Sequence, residues 1–301
     1  VRTSYVYDLL NRVKNRNYTL TGSTPSNYTA SPNVTYYYDN VTNAKGKLIK
    51  VSNSNSTTEY TSFDVLGRIT GHKQTTGGKD HTTSYSYYLN GALYEETYPS
   101  GRVVRSSLNT DGYLSQAETK ESGGSFAYRA SNFTYTAAGA VSAMQLGNSL
   151  YETTVFNNRL QPTDIKLGTT NGGTDRLSLT FPYGTSGTNS GNILTQTITV
   201  PAQFTATQTY TYDALNRIAS AGENISGYGA TWSQTFGYDQ YGNRNITAGT
   251  GTTSLTFGST TNRITSSGYA YGNAGNTTTA SGNNFTYDSE NKQVAGTNGG
   301  T

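Results

Sequence analysis

Aromatic residues recur two positions apart along the whole chain. The pairs are Tyr5/Tyr7, Tyr36/Tyr38, Tyr85/Tyr87, Phe126/Tyr128, Phe133/Tyr135, Phe181/Tyr183, Tyr210/Tyr212, Phe236/Tyr238, Tyr269/Tyr271 and Phe285/Tyr287. A spacing of two puts both rings on one face of a β-strand and on different faces of a helix. The pattern therefore predicts many short strands. The best helical stretch, "YLSQAETKE" at 113–121, has no apolar face and reads as strand and loop. The fold class is accordingly all-β, with essentially no helix.

The residues after each pair are regular too. Asp comes directly after the second aromatic at Asp8, Asp39, Asp64, Asp213, Asp239 and Asp288. Four residues after that aromatic stands Asn or Gly: Asn11, Gly67, Gly91, Gly139, Asn216, Gly242, Gly275 and Asn291. Next comes Arg12, Arg68, Arg217 or Lys292, or an Asn, and in the fullest copies Val13, Ile69, Ile218 or Val294 closes the unit. Each slot has a physical reason. Asp accepts a bond from the backbone N–H two residues on and opens a turn. Asn and Gly tolerate a positive φ, which the last turn residue of such a hairpin commonly needs. The aliphatic residue starts the return strand, and Asp and Arg meet across the turn.

Some copies deviate. After Tyr38-Asp39 the turn is longer and ends at Gly46-Lys47-Leu48. "SSLNTDGYL" (106–114) places Leu108 in the aromatic slot, while "VFNNRLQP" (155–162) and "GSTTNRI" (258–264) keep only an Asn-Arg-aliphatic end. The step from copy to copy is about 20–30 residues, the size of one supersecondary unit. Between copies lie "QTTGGKD" (74–80), "SGGS" (122–125), "TTNGGTD" (169–175) and "YGTSGTNSGN" (183–192), which read as loops on the far side of the hairpins. None is a domain linker. The expected organisation is one repeat domain over 1–301, beginning and ending in mid-repeat like a piece of a longer array.

Composition sharpens this. Tyrosine supplies 26 of 301 residues and only 13% of residues are charged. Apolar area must come largely from tyrosine rings, whose hydroxyls need partners. The net charge of +3, without a basic run, argues against a nucleic-acid partner. The absence of cysteine excludes a disulfide framework and thiolate chemistry. No apolar run is long enough to span a membrane as a helix, and the first residues lack a signal-peptide profile.

The candidates for chemistry are few. His72 and His81 are the only histidines, and His81 reads as an exposed loop residue in "GGKDHTT". Glu95 and Glu96 are adjacent, so a strand turns them to opposite faces. The Asp/Asn-rich turns lack the carboxylate spacing of a calcium loop. Tyrosine ladders offer stacking platforms for sugars, weighed against the plainer reading that they are the core. The chain is read as a non-enzyme, without cofactor or metal.

The unit Tyr/Phe-x-Tyr-Asp-x-x-Gly/Asn-Arg/Asn-Ile/Val resembles the YD repeat of the RHS family. Its fullest copies are "YVYDLLNRV" (5–13), "YTSFDVLGRI" (60–69), "YTYDALNRI" (210–218), "FGYDQYGNR" (236–244) and "FTYDSENKQV" (285–294). The resemblance implies a spiral ribbon of antiparallel hairpins. In bacterial RHS and Tc-toxin C proteins such a ribbon encloses a C-terminal toxin, and in teneurins it forms a shell on an adhesion protein. The family's self-cleaving Asp-Pro-x-Gly segment has no counterpart, since the chain holds no Asp-Pro. The residues that define the repeat are Tyr5, Tyr7, Asp8, Asn11, Arg12, Phe63, Asp64, Gly67, Arg68, Tyr210, Tyr212, Asp213, Asn216, Arg217, Phe236, Tyr238, Asp239, Gly242, Phe285, Tyr287, Asp288 and Asn291. The expected role is a structural module of a secreted or cell-surface bacterial protein, forming a shell or fibre by hairpin pairing. Its expected partners are neighbouring repeats or further copies of the chain. The alternatives are part of a cocoon around a toxin, and an adhesin that binds surface glycans through exposed tyrosines.

Overall fold

The structure is a computed structural model that describes residues 2–22, 28–185 and 187–297. Among the described residues there is no helix, and 55% of them lie in strands. In chain order these are β1 (Arg2–Tyr7), β2 (Val13–Thr19), β3 (Tyr28–Thr29), β4 (Val34–Tyr38), β5 (Leu48–Ser52), β6 (Ser56–Phe63), β7 (Ile69–Thr76), β8 (Lys79–Tyr87), β9 (Leu93–Thr97), β10 (Val103–Leu108), β11 (Leu114–Lys120), β12 (Ala127–Tyr135), β13 (Val141–Leu146), β14 (Tyr151–Phe156), β15 (Pro162–Gly168), β16 (Leu177–Thr180), β17 (Thr195–Val200), β18 (Phe204–Tyr212), β19 (Ile218–Ile225), β20 (Gly229–Tyr238), β21 (Arg244–Gly249), β22 (Tyr269–Tyr271), β23 (Thr277–Ala280), β24 (Asn283–Asp288) and β25 (Gln293–Thr297). The stretch 113–121 is a strand, as its lack of an apolar face predicts.

Contacts divide the chain into two compact units, 1–104 with 121–123 and 264–301, and 105–120 with 124–263. In the first, β1, β2, β4, β5, β6, β7, β8 and β9 pair in that order, all antiparallel. The same unit holds a smaller sheet in which β22, β23, β24 and β25 pair antiparallel and β3 adds to β24 in parallel. In the second unit the antiparallel ladder runs from β11 through β21 in chain order.

Seven of the ten aromatic pairs end a strand on their second ring, as the pattern predicts, whereas Tyr128 lies near the start of β12 and β24 runs one residue past Tyr287. A register shift commonly sits just before the second ring: Thr211 faces Ser220, but Tyr212 faces Ile218. Such a bulge adds local twist and turns the chain into the corner.

Four expectations need correction. The predicted loop 74–80 shrinks to Gly77 and Gly78, both at positive φ, because Thr76 already pairs with Lys79. His81 therefore lies in β8, opposite Gln74, and is exposed there rather than in a loop. Tyr183 does not end a strand: β16 stops at Thr180 and an irregular segment comes after it. Nor do the tyrosines make an enclosed core. The buried apolar residues are Val34, Ala44, Phe63, Val103, Ala143, Phe181, Tyr183 and Ala206. Tyr183 is the one buried tyrosine; the others are half-buried or exposed.

Candidate functional site: the repeated corner

The turn after each Asp is one device used many times. Asp8 Oδ1 accepts the N–H groups of Leu10 and Arg12 at 2.9 and 3.0 Å, and Oδ2 accepts Arg12 Nε at 2.8 Å. Asp64 does the same with Leu66 and Arg68, at 2.9, 2.9 and 2.6 Å. Asp213 repeats it with Leu215 and Arg217, at 2.9, 2.9 and 2.7 Å. At Asp239 the side-chain donor is Asn243, at 2.7 Å, and Asp288 Oδ1 accepts from the N–H groups of Glu290 and Lys292. The backbone closes each corner. Asn216 N–H donates to Asp213 O at 3.0 Å, and Asp213 N–H donates to Arg217 O at 2.8 Å.

The predicted positive-φ slot is where the pattern put it: Asn11 at 60°, Gly67 at 74°, Asn216 at 59°, Gly242 at 86° and Asn291 at 61°. The donors also set the charge. The backbone N–H of Arg217 holds the Asp213 carboxyl below the usual carboxylate range, with partial burial opposing and the guanidinium assisting. Asp8 is lowered by the same groups from Arg12.

A second function of these residues links one repeat to the next. The hydroxyl of the second aromatic donates to a carbonyl at the start of the preceding return strand: Tyr38 to Val13, Tyr87 to Ile69, Tyr135 to Leu114, Tyr238 to Ile218 and Tyr287 to Thr277, at 2.6–2.9 Å. Tyr212 reaches Ile193 and Tyr183 reaches Pro162 in the same way, at 2.7 and 3.1 Å. The corner arginine covers the ring of that next tyrosine. Arg12 lies 4.2 Å from the Tyr38 centroid, Arg68 4.8 Å from Tyr87 and Arg217 4.2 Å from Tyr238. Arg12 also grips Asp39 of the next corner through both terminal nitrogens, at 3.1 and 2.8 Å.

The Asp–Arg pairing is legible in the spacing, whereas the Arg–Tyr step is not. A signal was present: Arg12 and Arg68 precede copies with tyrosine in the second slot, while Phe63 comes after a corner with Lys47. Of the remaining repeat residues, the Tyr5 and Tyr7 rings lie 6.5 Å apart, Tyr210 OH donates to Gln208, and Phe236 lies under Arg244. Phe285 sits opposite Gly296 across the ladder.

The copy at 155–162 is corrected. The sequence aligns Asn158-Arg159-Leu160 with Asn-Arg-Ile, but the corner starts two residues later in the pattern. Asn157 takes the Asp slot, accepting from Arg159 N and Gln161 N, and Leu160 takes the positive-φ slot at 59°.

The residues weighed for catalysis are not assembled. The His72 ring lies 5.7 Å from the Tyr60 ring, a cross-strand pair, and His81 is exposed in β8. Glu95 and Glu96 face Ser86 and Tyr85 on β8, one on each face. Among the described residues no cluster of three His, Asp or Glu side chains is placed to hold a metal ion.

Known structures carry the same ladder. The chain aligns with the Photorhabdus luminescens Tc holotoxin pore bearing the TccC3-D651A mutation, with a TM-score of 0.77 at 17% identity, covering 97% of this chain and 16% of that one. It aligns with the TcdB2-TccC3-Cdc42 structure at a TM-score of 0.72 and 15% identity, covering 98% of this chain and 18% of that one. The TcdB2-TccC3-TEV structure gives 0.71 and 15%, with 99% and 18% covered. The chain thus spans under a fifth of the length of these proteins, and the likeness is one of fold. No curated protein matches it. The Teneurin YD-shell family model matches residues 127–297, more than half of the chain. With a repeated Asp corner and a tyrosine link from each repeat to the next, this chain belongs to the Teneurin YD-shell family.

Proposed function

We propose that the chain is a non-catalytic wall module, a stretch of YD-repeat ribbon that builds part of a shell in an exported or cell-surface bacterial protein. The observation that carries this is the inter-repeat link. Seven tyrosine hydroxyls hold a carbonyl of the preceding repeat. The residues that look most like a binding cluster are spent on joining the ribbon to itself. Such nearest-neighbour coupling suits an extended wall better than a pocket.

Enclosure of a toxin is the finer form of this reading, supported by the fold shared with Tc toxin structures. Electron microscopy of the protein expressed with its native flanking sequence tests it, together with protease challenge of the segment C-terminal to the repeats. Hollow particles with a protected C-terminal segment are expected. Solid filaments, or a C-terminal segment cleaved as fast as a free peptide, overturn it. A glycan-binding role draws on exposed rings such as Tyr128, Tyr228 and Tyr241; binding on a glycan array that is lost in Tyr228→Ala and Tyr241→Ala would favour it over the wall.

A further inference from the structure

In the corners at 8–12, 64–68 and 213–217 the fifth residue is arginine, and its guanidinium lies over the next second-slot tyrosine. The corner at 109–113 is built the same way. Asn109 Oδ1 accepts the N–H groups of Asp111 and Tyr113 at 3.0 and 2.9 Å. Asn109 N donates to Tyr113 O at 2.8 Å, and Gly112 takes φ of 84°. Its fifth residue, however, is a tyrosine. The next second-slot ring is Tyr135, whose hydroxyl donates to Leu114 O at 2.6 Å. Tyr113 takes the place of the arginine, and a stack of two phenols replaces the cation over a ring. The two centroids lie 4.7 Å apart, with the ring planes 29° from parallel.

The exchange changes what the link can do chemically, because two phenols in contact can couple by oxidation and an arginine over a phenol cannot. Other tyrosine pairs are less well placed. Tyr88 meets Tyr94 edge-on at 5.0 Å and 70°, and the Tyr5 and Tyr7 rings are 6.5 Å apart. Phe133 also stacks on Tyr135, at 6.4 Å, but has no hydroxyl. An oxidant can reach the site, since Tyr113 is 44% exposed and Tyr135 is half-buried. Composition directs the oxidation to tyrosine: the chain has no cysteine, one methionine and one tryptophan against 26 tyrosines. Without cysteine, no disulfide can tie one repeat to the next.

We infer that Tyr113 and Tyr135 form a modification site, at which hydrogen peroxide and a haem peroxidase join the two rings as dityrosine. Each phenol gives up one electron and its phenolic proton, leaving two neutral phenoxyl radicals. A ring carbon next to the hydroxyl-bearing carbon on one ring bonds to its counterpart on the other. Each coupled carbon then passes its hydrogen to its own ring's oxygen, which restores both hydroxyls. The two electrons and two protons reduce one hydrogen peroxide to two waters. Contact in the folded chain favours this pair over encounters between molecules. The product is a covalent tie across a link that other repeats hold with an arginine. This goes beyond the wall reading and does not depend on whether the ribbon encloses anything.

The test treats dilute protein with a haem peroxidase and hydrogen peroxide, then maps the products by mass spectrometry. The expected product is a monomer that has lost two hydrogen atoms, shows dityrosine fluorescence and yields a linked peptide pair carrying Tyr113 and Tyr135. Tyr113→Phe keeps the stacked ring without its hydroxyl and should lower the yield of that pair at least about tenfold. Tyr113→Arg rebuilds the link of the other corners and should abolish the pair. Tyr228→Phe, at an 82% exposed ring, should leave the yield unchanged. Thermal melts matching the wild type before oxidation establish that the variants fold. After oxidation the wild type should melt higher, and Tyr113→Phe should not. Linked peptides that omit Tyr113 or Tyr135, no intramolecular product at all, or a Tyr113→Phe yield equal to the wild type overturns the inference. None of these results touches the intrachain hydrogen bonds on which the wall reading stands.

Discussion

In the corner at 213–217, Asp213 Oδ1 accepts two backbone N–H groups, both at 2.9 Å, and Asn216 takes φ of 59°. In the corner at 157–161, Asn157 Oδ1 accepts the matching N–H groups at 2.9 and 3.1 Å, and Leu160 also takes φ of 59°. The backbones agree, with closing bonds of 2.8 and 3.0 Å from Asp213 N to Arg217 O and from Asn157 N to Gln161 O. The side chains do not. Arg217 pairs with Asp213 and covers Tyr238. Gln161 Oε1 instead accepts the side-chain amides of Asn157 and Asn189, at 2.8 and 2.7 Å. The corner therefore requires one left-handed residue and its two closing backbone bonds; a short side-chain acceptor in the first position supports it, but Tyr88, Tyr98 and Gly272 hold that position in corners that close the same way. Charge is an addition that serves the link to the next repeat.

Removal of the acceptor should be the largest effect and should separate the two corners. Asn157→Ala strands two backbone N–H groups and is expected to destabilise the chain by about 1–2 kcal/mol in denaturant unfolding. Asp213→Ala strands the same two groups and also releases Arg217 from its position over Tyr238, so its loss should be the greater. Equal losses would mean that the arginine link contributes nothing.

The left-handed slot gives opposite signs in the two corners. A bulky L-residue there costs about 1–2 kcal/mol relative to the right-handed region, and asparagine is among the few that adopt it routinely. Leu160→Asn is expected to stabilise by about 1 kcal/mol, and Asn216→Leu to destabilise by a similar amount. The leucine is half out in solvent at its tip, so little burial is lost. A destabilising Leu160→Asn would show that Leu160 packs against something that offsets its strain.

The tyrosine links should differ by their cover. Tyr183, buried, donates to Pro162 after the first corner, and Tyr238 donates to Ile218 after the second in a more exposed position. Tyr183→Phe leaves a covered carbonyl without its donor and is expected to cost about 1–2 kcal/mol. Tyr238→Phe keeps its ring under Arg217, and water can reach the carbonyl, so about 0.5 kcal/mol is expected. The reverse order, read from the same unfolding curves, would place the stronger link at the charged corner.

The range of each interaction decides how much of this is legible in the sequence. Asp213, Asn216 and Ile218 sit within six residues, and each slot states its backbone need in its residue type. Leu160 hides its slot because a leucine gives no sign of a positive φ, and the nearby Asn158-Arg159 imitates the usual ending. Gly77-Gly78 is a tighter turn than the polar run around it suggests, since Thr and Lys there are strand residues. The hydrogen bond from the Tyr18 hydroxyl to Glu290 spans 272 positions in sequence and leaves no local trace. The thin core is hidden as well, because tyrosine content fixes how much ring there is to cover, not how many layers cover it.

The last difference between the two corners is their response to acid, and it should be the smallest. The Asp213 carboxyl lies below its ordinary value of 3.8 because the Arg217 N–H, its guanidinium and the Leu215 N–H all favour the charged form. A carboxyl lowered on folding adds stability that is fully present above the unfolded value. That stability is lost as pH falls from there through the folded value. Asp213→Asn keeps the acceptor for both N–H groups, as Asn157 does, and removes the titration. At neutral pH this variant should melt slightly below the wild type, because an exposed ion pair contributes little. The gap should close as pH drops below 3.8, when the wild-type carboxyl takes up its proton. Asp8, Asp64 and Asp239 are lowered too, but they are common to both proteins and cancel in the difference. Asn157→Asp is the converse change. It should give its corner an acid-sensitive increment only if a cation replaces Gln161, so Asn157→Asp with Gln161→Arg is the pair to compare. A melting gap for Asp213→Asn that stays constant from neutral pH into acid would mean that the charge on Asp213 has no part in holding the corner.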